Sequence, residues 1–423
     1  MNIAIPYGRG HLHLEVEDSR VNAVLSSRLE SYVPTRGERA LVEEAMANPI
    51  GTEKLEQLVQ GKEKIVLIAS DHTRPVPSKV LIPPMLSAIR RGNPDAELTI
   101  LIATGCHRGT TKEELVEKFG AEIVESEKIV IHDCTAEEDM VTIGTLPSGG
   151  ALRINKIAAQ ADLLISEGFI EPHFFAGFSG GRKSVLPGIA SQATVRWNHN
   201  ADFIASPFAR TGILEGNPIH EDMIYAARAA KLAFICNVVI NAKHEVVGAF
   251  AGDVAQAHLA GVDFLRSLCQ CEKVPADIVF SSNNGYPLDQ NIYQAVKGMT
   301  AAEATVKQGG VIIMLARCND GIGGDHFYRQ LAQEPDIDKT MALFLSRGKE
   351  QTVPDQWQTQ VFLRVLKKAT VIFLSEMDDA TIREMHMLPA KTMEEALQKA
   401  KAILKMENPK IVAIPGGISV IVK

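Results

Sequence analysis

KIVLIAS at Lys64–Ser70, a polar loop, the helix-spaced segment Ser78–Arg91 and then ELTILIAT at Glu97–Thr104 decide the fold class. The apolar residues of the two runs do not alternate with polar ones, which marks strands covered on both faces. Strand, loop, helix, strand is the unit from which parallel sheets are built. A third run of the same kind, DLLISE at Asp162–Glu167, follows after the helical segment Thr111–Phe119, which opens on a Thr-Thr-Lys-Glu-Glu cap.

Working outward, a second series reads the same way. Ala276–Ser281, Gly310–Ala316 and Thr370–Ser375 are strand-like, with helical stretches at Asp289–Lys307, Gln330–Ser346 and Asp355–Lys368 between them. Val254–Cys269 is a helical run placed to serve as a boundary, and Met393–Lys405 is a helix. Lys410–Ile414 and Ser419–Val422 read as a closing strand pair broken by Pro415-Gly416-Gly417. The expectation is α/β: two α/β domains with mainly parallel sheets and the active site in the cleft between them. The first is expected over residues 1–268, with the segment of about 406–423 packing back on it, and the second over 274–405. A chain of 423 residues is too long for one ordinary core, which agrees with two units.

Composition narrows the function. Hydrophobic residues are 46% and charged residues 22%, as in a globular protein, and the net charge is −7. Nucleic-acid binding needs a basic face, and no run of Lys and Arg lacks nearby acids. No apolar run approaches the roughly 20 residues that span a bilayer. The opening MNIAIPYGRGHLHLEVED lacks the n- and h-regions of a signal peptide, so the expected location is cytoplasmic. The six cysteines are scattered with no CxxC spacing, which argues against a zinc knuckle or a disulfide framework.

The polar residues gather in loops after the strands, where open α/β sheets bind ligands. Ser70-Asp71-His72-Thr73-Arg74 places an arginine fork for a carboxylate or phosphate beside a carboxylate that can accept from hydroxyls; its alternative is a capping turn with a surface arginine. In Ala103-Thr104-Gly105-Cys106-His107-Arg108, His107 suits proton transfer near neutral pH better than Cys106 suits nucleophilic attack. Glu171–Ser184, EPHFFAGFSGGRKS, gathers His173, three close glycines, Arg182 and Lys183. Glycines let a backbone approach a phosphate, and successive N–H groups can cradle it. The string is not a P-loop, since GxxxxGK[ST] starting from Gly177 would need glycine where Arg182 stands. Lys183 could clamp a phosphate or, if neutral, attack a cofactor. His199, between Asn198 and Asn200, could ligate a metal with an amide supporting it. Gln294 and Lys297 lie three apart and share a helix face.

Taken together, SDHTRPVPS, ATGCHRGTTKEEL, IVIHDC, GTLPSGG, EGFIEPHFFAGFSGGRKSVLPGIAS, WNHN and GYPLDQNIYQAVKGM resemble, in order, the nickel-dependent lactate racemase family. The resemblance implies a racemase that interconverts D- and L-lactate by hydride transfer to and from a nickel-pincer nucleotide, a pyridinium mononucleotide whose thiocarbonyl arms hold nickel. It implies Lys183 as the covalent tether and His199 as the nickel ligand. It implies His107 and His173 as the acid/base pair, and Asp71, His72, Thr73 and Arg74 as the segment touching the nucleotide. Arg74, Gln294 and Lys297 would hold the substrate. The implied partners are a small 2-hydroxy acid and the cofactor-synthesis proteins. Competing readings are a racemase of another 2-hydroxy acid, such as malate or a longer aliphatic acid, and a non-catalytic nucleotide-binding protein.

Overall fold

A computed structural model describes residues 1–423. The first sheet has six strands in the spatial order Val246–Gly252, Leu232–Ile240, Leu163–Phe169, Lys64–Ser70, Glu97–Ala103 and Lys128–Ile131. All neighbours are parallel except Val246–Gly252, which runs antiparallel to Leu232–Ile240. Leu163–Phe169 is buried at every position, its polar Ser166 and Glu167 included. The sequence reading named three of these strands. It passed over the hairpin of Leu232–Ile240 and Val246–Gly252, whose first strand carries Asn237 in the middle of its apolar run.

The second sheet is parallel throughout, in the order Leu388–Ala390, Ala369–Leu374, Val306–Leu315, Ala276–Ser282, Ile411–Ile414 and Val21–Val24. Its last two strands differ from the expectation. Ile411–Ile414 does not pair with the final strand and lies between Ala276–Ser282 and Val21–Val24. A fully buried strand needs a neighbour on both sides, and the N-terminal segment supplies one. The hairpin of Asn2–Tyr7 and Gly10–Glu15 also covers this sheet, with Ile3, Ile5 and Leu14 packed among Ile278, Phe280 and Ile313. The first 24 residues therefore build on the second sheet rather than the first. Ile421–Val422 pairs instead with Gln270–Cys271, and Ile421 packs on Phe178 and Leu214. The expected helix Gln330–Ser346 is two helices, Asp325–Ala332 and Ile337–Leu345, parted at Pro335 with Asp336 capping the second.

One cluster of 58 buried residues runs from Leu101 and Ile235 beside the first sheet to Val279, Ile312 and Phe362 beside the second. The two sheets are thus joined by a common apolar core. No helix is long and apolar enough to cross a membrane. In the first sheet the chain steps outward from Lys64–Ser70 through Glu97–Ala103 to Lys128–Ile131. It then returns to the other side of Lys64–Ser70 with Leu163–Phe169. That reversal leaves a crevice at the carboxyl ends of the two central strands, the place where such sheets hold ligands.

Candidate active site

A cleft open to solvent lies at this crevice. Only five of its 21 lining residues are hydrophobic, so it is built for a polar ligand. Its floor is organised by Glu167, the one charged residue of the strand Leu163–Phe169. The Glu167 carboxylate accepts the Ser70 N–H at 2.7 Å and the Ser70 hydroxyl at 2.8 Å, and Ser78 donates to its other oxygen at 3.3 Å. These bonds fix the start of the loop Asp71–Arg74. The sequence reading assigned Glu167 no role. A carboxylate at the carboxyl end of an otherwise apolar strand was the available signal.

Asp71, fully buried, faces His107 with Oδ2 at 2.7 Å from Nδ1. Its Oδ1 accepts from the Thr73 N–H at 3.1 Å and the Thr73 hydroxyl at 2.7 Å. Burial alone would raise the Asp71 pKa, but the His107 hydrogen bond and charge outweigh it and the net direction is down. An ionised carboxylate can only accept, so His107 donates from Nδ1 and keeps Nε2 free as a base. His72 turns the other way, with Nδ1 at 3.0 Å from the Thr110 hydroxyl, and does not line the cleft. Arg74 does line it, and its guanidinium has no protein partner. Cys106 also lines it with an exposed side chain, and the neighbouring Cys134 pushes its pKa up and away from thiolate chemistry.

In the glycine loop, Pro172–His173 pairs antiparallel with Gly177–Phe178, a two-residue ladder that aims the His173 ring. The Ala176 N–H donates to His173 Nδ1 at 3.2 Å, so a neutral ring carries its hydrogen on Nε2. That Nε2 is 3.2 Å from Lys183 Nζ. Burial, then the charges of Lys183, Lys297 and Arg74, hold His173 well below the ordinary histidine value. Burial, then Arg182 and Arg74, likewise hold Lys183 well below the ordinary lysine range. A neutral imidazole donating to a neutral amine satisfies both groups, and an unprotonated amine is a nucleophile. The glycines serve the protein's own packing. A Cβ on Gly177, at φ +78°, would sit 2.2 Å from the Ile213 carbonyl oxygen, and one on Gly180, at φ +75°, 2.7 Å from Asn237 Oδ1.

His199 ends the helix Gln192–Asn198. Asn198 donates to the Ile219 carbonyl and Asn200 caps the next helix, so the flanking amides hold the turn and not the imidazole. The His199 ring makes no hydrogen bond, and its Nδ1 is buried without a partner. It stands edge-on between Phe175, at 5.2 Å, and Trp357, at 5.3 Å. Burial pulls its pKa down to about 3, leaving a neutral ring with one nitrogen lone pair to give. No group of three or more His, Cys, Asp or Glu side chains could hold a metal. A metal at His199 would therefore draw its other donors from a bound group. Trp357 was missed in the sequence, where an isolated tryptophan at a helix start gives no signal.

From the second half, Gln294 and Lys297 lie on the helix Ile292–Thr305, whose Asn291 cap accepts from the Gln294 N–H at 3.0 Å. Burial lowers the Lys297 pKa, against the pull of the Glu171 carboxylate. Burial raises that of Glu171, against Lys297, Arg74 and Lys183. Arg74, Lys183 and Lys297 thus stand near Glu171, and Glu167 gives the cleft a second carboxylate.

Two family models match, the lactate racemase N-terminal domain over residues 7–212 and the lactate racemase C-terminal domain over residues 271–422. The chain belongs to the lactate racemase family. A lactate racemase from Thermoanaerobacterium thermosaccharolyticum is 53% identical over 423 residues, covering 100% of this chain and 99% of that protein. One from Lactiplantibacillus plantarum is 52% identical over 422 residues, again covering 100% and 99%. The solved structure of the lactate racemase apoprotein from T. thermosaccharolyticum superposes with a TM-score of 0.97 at 52% identity, covering 100% of both chains. A Thermotoga maritima protein, 17% identical with a TM-score of 0.63 over 91% of this chain and 98% of that one, shares the fold.

Within this lactate racemase fold, Arg74, His107, His173 and Lys183 line one cleft. Asp71 stands behind His107. Phe175 links His173, at 4.5 Å, to His199.

Proposed function

We propose that the chain interconverts D- and L-lactate. The observation that carries this is the pair of histidines on separate loops of one cleft. His107 donates from Nδ1 to Asp71 and keeps Nε2 free to accept a proton, whereas His173 accepts from the Ala176 amide at Nδ1 and carries on Nε2 a hydrogen that it can donate. Racemisation takes the hydroxyl proton from one enantiomer and returns a proton to the other, and one imidazole set to accept with one set to donate supplies both roles. The end-to-end likeness to two lactate racemases supports lactate as the substrate.

Taking the Cα hydrogen as a proton would leave a carbanion beside a carboxylate, whereas taking it as hydride leaves a neutral ketone. The residues fit the nickel-pincer nucleotide that this reading calls for. Lys183 offers a neutral amine for the tether, His199 an unpaired imidazole for nickel, and the loops Asp71–Arg74 and Gly177–Gly181 border the nucleotide's place. Bound there, that group supplies the hydride acceptor. The chain's own residues do the rest. His107 and His173 move the hydroxyl proton, while Arg74, Lys297 and Gln294 hold the carboxylate so that the keto acid turns over without leaving.

Protein made together with the cofactor-synthesis proteins, given pure D- or pure L-lactate and followed by chiral chromatography, should reach a 1:1 mixture from either side. Retained optical purity of lactate, with loss of purity in malate or a longer 2-hydroxy acid, reassigns the substrate. Retention in every acid tried ends the racemase reading.

A further inference from the structure

Arg182 is the largest fully buried side chain of the protein, and it has no carboxylate partner. An isolated buried cation is costly unless dipoles replace its water. Here they come from the glycine loop itself. Nη2 donates to the Ala176 carbonyl at 2.8 Å, and Nη1 to the carbonyls of Ser179 and Gly180 at 3.3 and 3.2 Å. Nε donates to His220 Nδ1 at 3.1 Å, and His258 Nε2 stands 3.1 Å from Nη1. Burial pulls the Arg182 pKa down to about 9, which leaves the group charged at neutral pH.

The guanidinium thus draws three loop carbonyls to one point. A trans peptide sets its N–H opposite its C=O, so the Gly180 N–H lies on the side away from Arg182. Gly180 and Gly181 line the cleft on that side, next to Lys183. Lysine in place of Arg182 would keep a charge but could not fork to three carbonyls at once.

We infer that Arg182 is a positioning residue: it is the internal frame of the glycine loop, turning the carbonyls inward and holding Lys183 beside His173. The inference rests on the reading of Lys183 as the reactive amine. Lys183 is faced by Arg182 from its own turn, His173 from the hairpin, Arg74 from the loop after Lys64–Ser70, Glu171, Lys297 from the second half, and His199.

The test uses the full chain without cofactor. Lys183 acylation by acetic anhydride is followed against pH by peptide mass spectrometry, with the exposed Lys79 as internal reference. In Arg182→Met the acylation midpoint of Lys183 should rise by about one pH unit or more, because a neighbouring cation is gone. In Arg182→Lys the midpoint should stay near that of the unmodified chain. Amide exchange across residues 176–184 should then quicken by roughly tenfold, with none in Leu163–Phe169. An unmoved midpoint in Arg182→Met, or unchanged loop exchange in Arg182→Lys, overturns the inference. If Arg182→Met does not fold, the exchange measurement on Arg182→Lys decides alone. Failure of the tether reading shows separately, as an unmodified Lys183 in co-expressed protein whatever the acylation profile.

Discussion

His107 Nδ1 and the buried Asp71 Oδ2 lie 2.7 Å apart, while Thr73 donates twice to Asp71 Oδ1. This arrangement fixes more than an orientation. In Asp71→Asn the two Thr73 donors keep the amide oxygen on their side, so the NH₂ group meets His107 Nδ1. The ring must then accept at Nδ1 and carry its hydrogen on Nε2, which removes the base. Racemisation by Asp71→Asn should fall by about 100-fold or more, the usual weight of a general base. Loss below about threefold, measured by initial rates from either enantiomer, would show that the tautomer does not matter.

Lys183 is reactive in this account because it is neutral. Lys183→Arg keeps length and positive charge but has no amine that loses its proton near neutral pH. Intact-mass measurement after co-expression with the cofactor-synthesis proteins should show an added mass on the natural chain and none on Lys183→Arg. Equal added mass on both would place the tether elsewhere.

Much of this is legible in the sequence. The continuous apolar runs announced parallel strands, and the polar residues after them announced the loops that carry His107, His173 and Lys183. What sequence could not show was pairing between loops. The pairing of Asp71 with His107 emerges only from the adjacency of Lys64–Ser70 and Glu97–Ala103. Asn198 and Asn200 read as supports for His199, yet each serves a helix end or a neighbouring carbonyl. Arg182 read as a P-loop defect because burial cannot be seen in a string. The N-terminal 24 residues were assigned by chain order, whereas a parallel sheet chooses its edge by which strand still lacks a neighbour.

The glycine loop offers a separate test of its packing. Gly177 combines φ +78° with a would-be Cβ contact of 2.2 Å to the rigid Ile213 carbonyl. Strain and overlap add there, so Gly177→Ala should cost at least about 2 kcal/mol. A urea titration would read this as a lower midpoint at unchanged slope. A stability within about 0.5 kcal/mol of the natural chain would mean that the loop can shift to make room.

Five histidines with depressed pKa values give the protein a defined response to acid. Burial holds His199 and His220 at about 3, His132 below the ordinary value, and His173 and His258 well below it. Unfolded, each would titrate near the usual ~6.5. A histidine whose folded pKa is depressed takes up its proton only on unfolding. Its contribution is complete above ~6.5 and drains away as pH falls toward the folded value, by about 1.4 kcal/mol per pH unit per ring. Carboxylates with depressed values, such as Asp71, add to the loss only below about 4, so the window from pH 6.5 to 5 belongs to the histidines. Urea midpoints at pH 7, 6 and 5 should therefore drop in increasing steps. His220→Gln, which can still accept from Arg182 Nε, should make that drop shallower by one ring's share. A flat profile down to pH 5 would mean that these rings are protonated in the folded chain, and with them the case for a neutral His199 would fail.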